Sequence, residues 1–193
     1  MKFIASTIVA SAALATSAAA LESAGWSVEN LADEIEGAKE ISAILQANET
    51  DKGPVNLIVM CSGNTTSVMI QWPKRLPTDK YRKGKSDDQE RLKRIELAWD
   101  GGESSSGQWL LNGDRSRTTF VGKRRVPIVN QMVEADELVV KTDSKWDGPF
   151  TATFDLTGAQ APLRKIATAC DWTLSADKKD AADSEASEEA KQD

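Results

Sequence analysis

Residues 137–156 read ELVVKTDSKWDGPFTATFDL. Two runs rich in branched and aromatic residues flank Asp147-Gly148, a pair that supplies the positive-φ residues of a hairpin turn. The second run alternates. Phe150, Ala152, Phe154 and Leu156 fall on one side, and Thr151, Thr153 and Asp155 on the other, which is the period of a strand with one buried face. Just downstream, GAQAPLRKIATAC changes period: Leu163, Ile166, Ala167 and Cys170 stand at i, i+3, i+4 and i+7, one face of an amphipathic helix. The helix covers about Gln160 to Ala169, with Arg164 and Lys165 turned away from the buried face. It opens either at a capping box, Thr157-Gly158-Ala159-Gln160, or nearer Pro162, which favours the first helical position.

Working back along the chain, NLIVMCSGNTTSVMIQW is a second hairpin, with a glycine-containing turn between two branched runs. QWLLNGDRS carries Asn112-Gly113, a hairpin signal of the same type as Asp147-Gly148. RIELAWDGG gives one more strand ending in a turn, and VPIVNQMVEA a short helix opening after Pro127. ADEIEGAKEISAILQANE stays ambiguous. Leu31, Ile35, Ala38, Ser42 and Leu45 suit a helix, while Ile41 to Ala47 suit a strand equally well, and periodicity does not separate the two. Turn-punctuated strands with one packed C-terminal helix predict a mainly β fold, a single antiparallel β-sandwich or small barrel.

The two ends differ from this core. Residues 1–20, MKFIASTIVASAALATSAAA, combine a basic Lys2, an apolar run and a small-residue stop. They predict a signal peptide cleaved after Ala20 and export to the periplasm. Residues 175–193 hold no aromatic or branched apolar side chain, so they predict a disordered acidic tail. From Ala176 onward the tail has three Lys against seven Asp or Glu, and it carries most of the chain's net charge of −6. The β-rich domain thus spans residues 21–174, is near neutral, and has no further segment apolar enough to span a bilayer.

In an exported chain, Cys61 at the end of one strand and Cys170 at the end of the helix are expected to pair. A disulfide there would close a loop of about 110 residues, worth roughly 4–5 kcal/mol in the chain-entropy model. Two unpaired buried thiols or a redox pair are the alternatives, the latter without a Cys-x-x-Cys motif. Trp26-Ser27-Val28, DEIEGAK, the strand ending in Cys61, TFDLTG and the closing ACDW together resemble the VasI-like family of periplasmic proteins associated with type VI secretion. The resemblance covers about Gly25 to Trp172. It implies a disulfide-linked, β-rich periplasmic domain without catalytic residues. The segment PKRLPTDKYRKGKSDDQERLKR departs from it, being longer and more basic.

The sequence contains no histidine, which removes Ser-His-Asp and Cys-His catalysis and histidine metal ligands. Ser175-Ala176-Asp177-Lys178 matches Ser-x-x-Lys without its companion motifs. Asp100 and Glu103 flank a Gly-Gly turn, and Asp136 and Glu137 follow a helix, positions that suit turn geometry better than acid–base work. No calcium loop or phosphate loop occurs. No enzyme and no cofactor is expected.

Binding is the remaining class. From Lys74 to Arg94 there are nine Lys or Arg against four Asp or Glu, a net of +5, with Tyr81 among them. Lys123, Arg124 and Arg125 form a smaller cluster. The bland reading of the long stretch is a solvated loop between strands. The functional one is a contact for an anionic surface or an acidic envelope protein, made by Lys80, Arg82, Lys83 and Lys85. Nucleic acid is not expected, since stacking aromatics are scarce and the chain is exported. Of the six tryptophans, Trp26, Trp72, Trp99, Trp109, Trp146 and Trp172, most suit core or rim packing. Trp146, beside the Asp147-Gly148 turn, is the one placed to be exposed and is a further candidate contact. The leading expectation is a non-catalytic periplasmic protein that binds an envelope partner. The alternative is a periplasmic inhibitor or small-ligand module.

Overall fold

In the two hairpins read from the sequence, side chains on alternate positions share one buried face. The computed structural model describes residues 25–30, 40–50, 52–84, 89–120, 125–144 and 148–177. Strand β4 (Asn56–Ser62) turns through Gly63-Asn64 into β5 (Thr65–Gln71), and both turn residues have positive φ, 52° and 60°, as a two-residue hairpin requires. Leu57, Val59 and Cys61 face the same way as Val68 and Ile70, and all five are buried. Before them lie β1 (Trp26–Asn30), β2 (Glu40–Gln46) and the two-residue β3 (Glu49–Thr50).

After them come β6 (Lys80–Lys83), β7 (Gln89–Trp99), β8 (Ser105–Leu111) and β9 (Arg117–Thr119). Helix α1 (Arg125–Glu134), β10 (Glu137–Ser144), β11 (Gly148–Asp155) and α2 (Gln160–Ala169) complete the order. Every strand pairing is antiparallel, in the order β1-β2-β4-β5-β9-β8-β7-β10-β11-β3, with β6 attached to β7. The sheet curls into a half-barrel. Its last member, β3, follows β2 by two residues and pairs with β11 through Thr50 and Glu49, so the chain that begins the curl also fastens its far side. Lys52 secures this seam, its Nζ 2.8 Å from the Pro149 carbonyl and 4.8 Å from the Phe150 ring centroid.

The fold is therefore mainly β with a packed C-terminal helix, as the sequence predicts, and barrel-like in form. Phe150, Ala152, Phe154 and Leu156 are all buried and the intervening Thr and Asp are not. Helix α2 has the predicted limits and buries Leu163, Ile166 and Ala167. Cys170, just past it, forms a disulfide with Cys61 across a Cα–Cα distance of 5.7 Å. Arg164 and Lys165 face solvent.

Several expectations are corrected. The ambiguous segment resolves as a strand from Glu40: Ile41 to Leu45 pair with β4 on one side and β1 on the other, so two ladders fix the extended backbone. Residues 31–39 lie outside the described residues, as does the predicted signal peptide at 1–20. Thr157 does not cap α2, whose N-cap is Ala159 with no side-chain hydrogen bond. Instead the Asp155 carboxylate accepts from Thr157 N at 2.9 Å, and hydrogen bonds from the Thr157 side chain and backbone hold its pKa below the usual carboxylate value. Pro162 sits third in the helix, still in the first turn where its missing N–H costs nothing.

At the β8–β9 hairpin the positive φ belongs to Arg115 (64°), while Gly113 has none. A longer loop forms there because Asn112 Oδ1 accepts from Arg117 N and Asp114 Oδ1 accepts from Ser116 N, so side chains bracket the turn. Hydrogen bonds from Ser116 hold the Asp114 carboxyl below its usual pKa. Residues 175–177, which composition places in the tail, form a helical turn, and residues 178–193 lie outside the described residues. Among the described residues no helix is long and apolar enough to cross a membrane.

Candidate partner-binding surface

Part of the basic stretch is strand. It begins with an anchor: Leu76 is fully buried, its N–H bonded to the Arg115 carbonyl at 2.8 Å. Asp79 N then bonds to the Leu92 carbonyl at 2.9 Å, and β6 runs antiparallel to the start of β7, Lys80 opposite Leu92 and Lys83 opposite Gln89. Strand alternation puts Lys80 and Arg82 on one side of this ribbon and Tyr81 and Lys83 on the other. Arg82 forms an ion pair with Glu90 across it. All four β6 residues are exposed, and Tyr81, at 56%, is the exposed large hydrophobic among the described residues. Among those residues β6 pairs only with β7, so no described strand covers its outer edge.

Beneath the ribbon lies a buried charge. Lys93 is on the inner face of β7 between Arg91 and Ile95 and has no exposed surface. Its Nζ reaches Asp79 Oδ1 at 2.7 Å, while Asp79 Oδ2 accepts from Arg94 N at 2.8 Å. One carboxylate therefore fixes both the lysine and the entry to β6.

Of the sequence-predicted contacts, Lys80, Arg82 and Lys83 come together on β6. Lys85 and Trp146 lie outside the described residues, as do Lys123 and Arg124. β10 holds the same edge of β7 from Trp99 to Glu96 that β6 takes up at Leu92, so β10 and β6 follow one another along β7. Arg125 turns inward, its Nη1 3.2 Å from the Thr66 carbonyl.

The paired carboxylates have a structural task. Asp100, at φ 49° in the turn after β7, accepts from both Asp136 N and Glu137 N at 2.9 Å, tying the turn to the α1–β10 junction. Glu103 is exposed.

Three tryptophans are core: Trp26, Trp72 and Trp109. The indole N–H groups of Trp72 and Trp172 donate to Thr118 Oγ1 and Thr66 Oγ1 at 3.0 and 2.9 Å. Trp109 meets Phe120 edge to face at 5.4 Å. Beside that pair opens a cleft of about 330 Å³, walled by Trp99 and by Ser106 of β8 on one side and by Ile128 and Gln131 of α1 on the other. Sequence reading missed it, because the residues come from three elements and each alone reads as packing. Comparison with protein-family models, with curated proteins and with solved structures gives no match.

Proposed function

We propose that this chain is a non-catalytic binding protein of the bacterial periplasm that engages an acidic envelope protein through the β6–β7 ribbon. The observation that carries the reading is Tyr81 exposed between cations on a strand whose outer edge meets no described strand. Aromatic residues supply contact area at low entropic cost and are favoured as anchors. Cations on an edge strand discourage indiscriminate pairing and favour a partner of opposite charge. Export rests on the leader-like residues 1–20. An accessory role in secretion rests on the VasI-like resemblance of Trp26-Ser27-Val28, the strand to Cys61 and ACDW.

The test is affinity capture with the disulfide-bonded full chain from periplasmic extract, beside a variant with Lys80, Arg82 and Lys83 changed to Ser. One dominant partner is expected, lost from the variant and released as salt rises through about 0.5 M, where exposed charges are screened within a few ångströms. Equal capture by both proteins would remove the ribbon from the interface.

A further inference from the structure

The wall of the half-barrel splits beside β8. β9 stays with β5, and past its end Phe120 N still bonds to the Val68 carbonyl at 2.9 Å. β8 stays with β7 along its whole length, Leu97 to Arg91 against Ser105 to Leu111. The two part company early, since among the described residues the β8–β9 ladder is Leu110 and Leu111 against Thr119 and Thr118. Asn112 N bonds across to the Arg117 carbonyl. By the two-residue alternation of an antiparallel ladder, the backbone groups of Gln108 and Ser106 point to that same side. Among the described residues they meet no strand there, and both are exposed. An open strand edge thus borders the cleft, with α1 as the opposite bank.

We infer that this groove binds an extended, uncharged peptide segment of another protein as an added strand on β8, with one apolar side chain seated against Trp99, Trp109 and Phe120. Two donor–acceptor sets, at Ser106 and Gln108, suit about four or five residues of ladder. A cleft of about 330 Å³ is at the small end for ligand sites and fits a side chain or two. Gly107 keeps the seat open. A Cβ there would lie 3.8 Å from Trp109 Nε1, so the residue without one leaves the indole edge facing the space.

Charge and composition select the occupant. None of the lining residues is charged, so burying a charged side chain there would leave it unpaired. The chain's own residues 178–193 contain no aromatic or branched apolar residue and cannot fill the seat. This site is separate from the basic ribbon and stands or falls independently of it.

The experiment selects peptides from a displayed library of random decamers on the disulfide-bonded full chain, then titrates the best one, fluorescein-labelled. Two variants accompany it. Gln108→Pro removes an outward N–H, which an edge strand tolerates. Gly107→Val fills the seat, and Gly107 has no positive φ to forbid it. Retained circular dichroism and melting temperature certify the fold of each.

The expected result is a set of peptides sharing an apolar residue, slowed amide exchange at Ser106 and Gln108 on binding, and about tenfold or greater loss of affinity in each variant. Failure to enrich any peptide, or selected peptides that bind both variants unchanged, would overturn the proposal. So would saturation by a cell-wall disaccharide in place of peptides, or a dimer of this chain abolished by Gln108→Pro.

Discussion

Lys93 is the residue whose environment is hardest to sustain. An ammonium with no exposed surface is tolerable only while a partner of opposite charge holds it, and Asp79, one-third exposed, is that partner. Removing one member of such a pair costs more than removing both, because the survivor keeps its desolvation without its attraction. Asp79→Ala is therefore expected to destabilise by about 3 kcal/mol. Lys93→Met, which keeps the stem and removes the charge, should lie within about 1 kcal/mol of wild type. The double variant should recover most of the Asp79→Ala loss. Chemical denaturation of the four proteins measures this, and simple addition of the two single effects would show that the charges do not depend on each other. Sequence gave no hint of the burial. Lys93 sits in a run of basic residues, and only the β7 register, with Trp109 opposite, turns it inward.

At the scale of elements, the C-terminal helix is held at both ends. Cys170 ties its last turn to β4, and beyond Leu174 the 175–177 turn folds back. Ser175 N bonds to Asn130 Oδ1 at 3.0 Å, and Asp177 accepts from Arg164 Nε at 2.9 Å. Hydrogen bonds from Arg164 hold the Asp177 carboxyl below its ordinary value of 3.8. A depressed carboxylate contributes stability that is complete above the unfolded value and fades as pH falls through the folded one. The tie should therefore be intact at neutral pH and fade as pH falls below about 4, through the lowered folded value. Because both partners reach solvent, it is worth about 0.5 kcal/mol. Asp114 and Asp155 titrate in the same range, so the difference between wild type and Asp177→Asn is what isolates it. Amide exchange over residues 160–177 should differ between the two at pH 6, with the difference shrinking as pH falls below about 4; a difference that does not shrink with falling pH would assign the effect to something other than the charge. Legibility follows the range of the signal. α2, β4–β5 and β10–β11 were readable because their periods and turn residues are local. β2 was not, since Ile41 to Ala47 fit two periods and only the ladders on both sides decide. β6 was hidden because a strand exposed on both faces has no apolar alternation.

For the molecule as a whole, what sequence could not reach is where the half-barrel opens. The cleft depends on β9 following β5, about fifty residues earlier, while β8 follows the adjoining β7. The disulfide was legible from the chain's economy of thiols, and its effect is likewise global. Cys61 and Cys170 are 109 residues apart, so opening the bond returns most of the domain's loop entropy to the unfolded chain, about 4–5 kcal/mol. The folded state loses less, because Leu163, Ile166 and Ala167 remain buried against the sheet without it. The reduced protein is expected to stay folded at 25 °C with α2 in place, and to melt roughly 10–20 °C lower than the oxidised one. Reduction of the wild type removes no atoms from the core, so its melting curve separates loop entropy from packing. The Cys61→Ala/Cys170→Ala protein should melt at or slightly below the reduced one. A reduced protein that melts within about 3 °C of the oxidised form would mean that the unfolded chain is already compact around this pair, and that apolar packing of α2 alone closes the barrel.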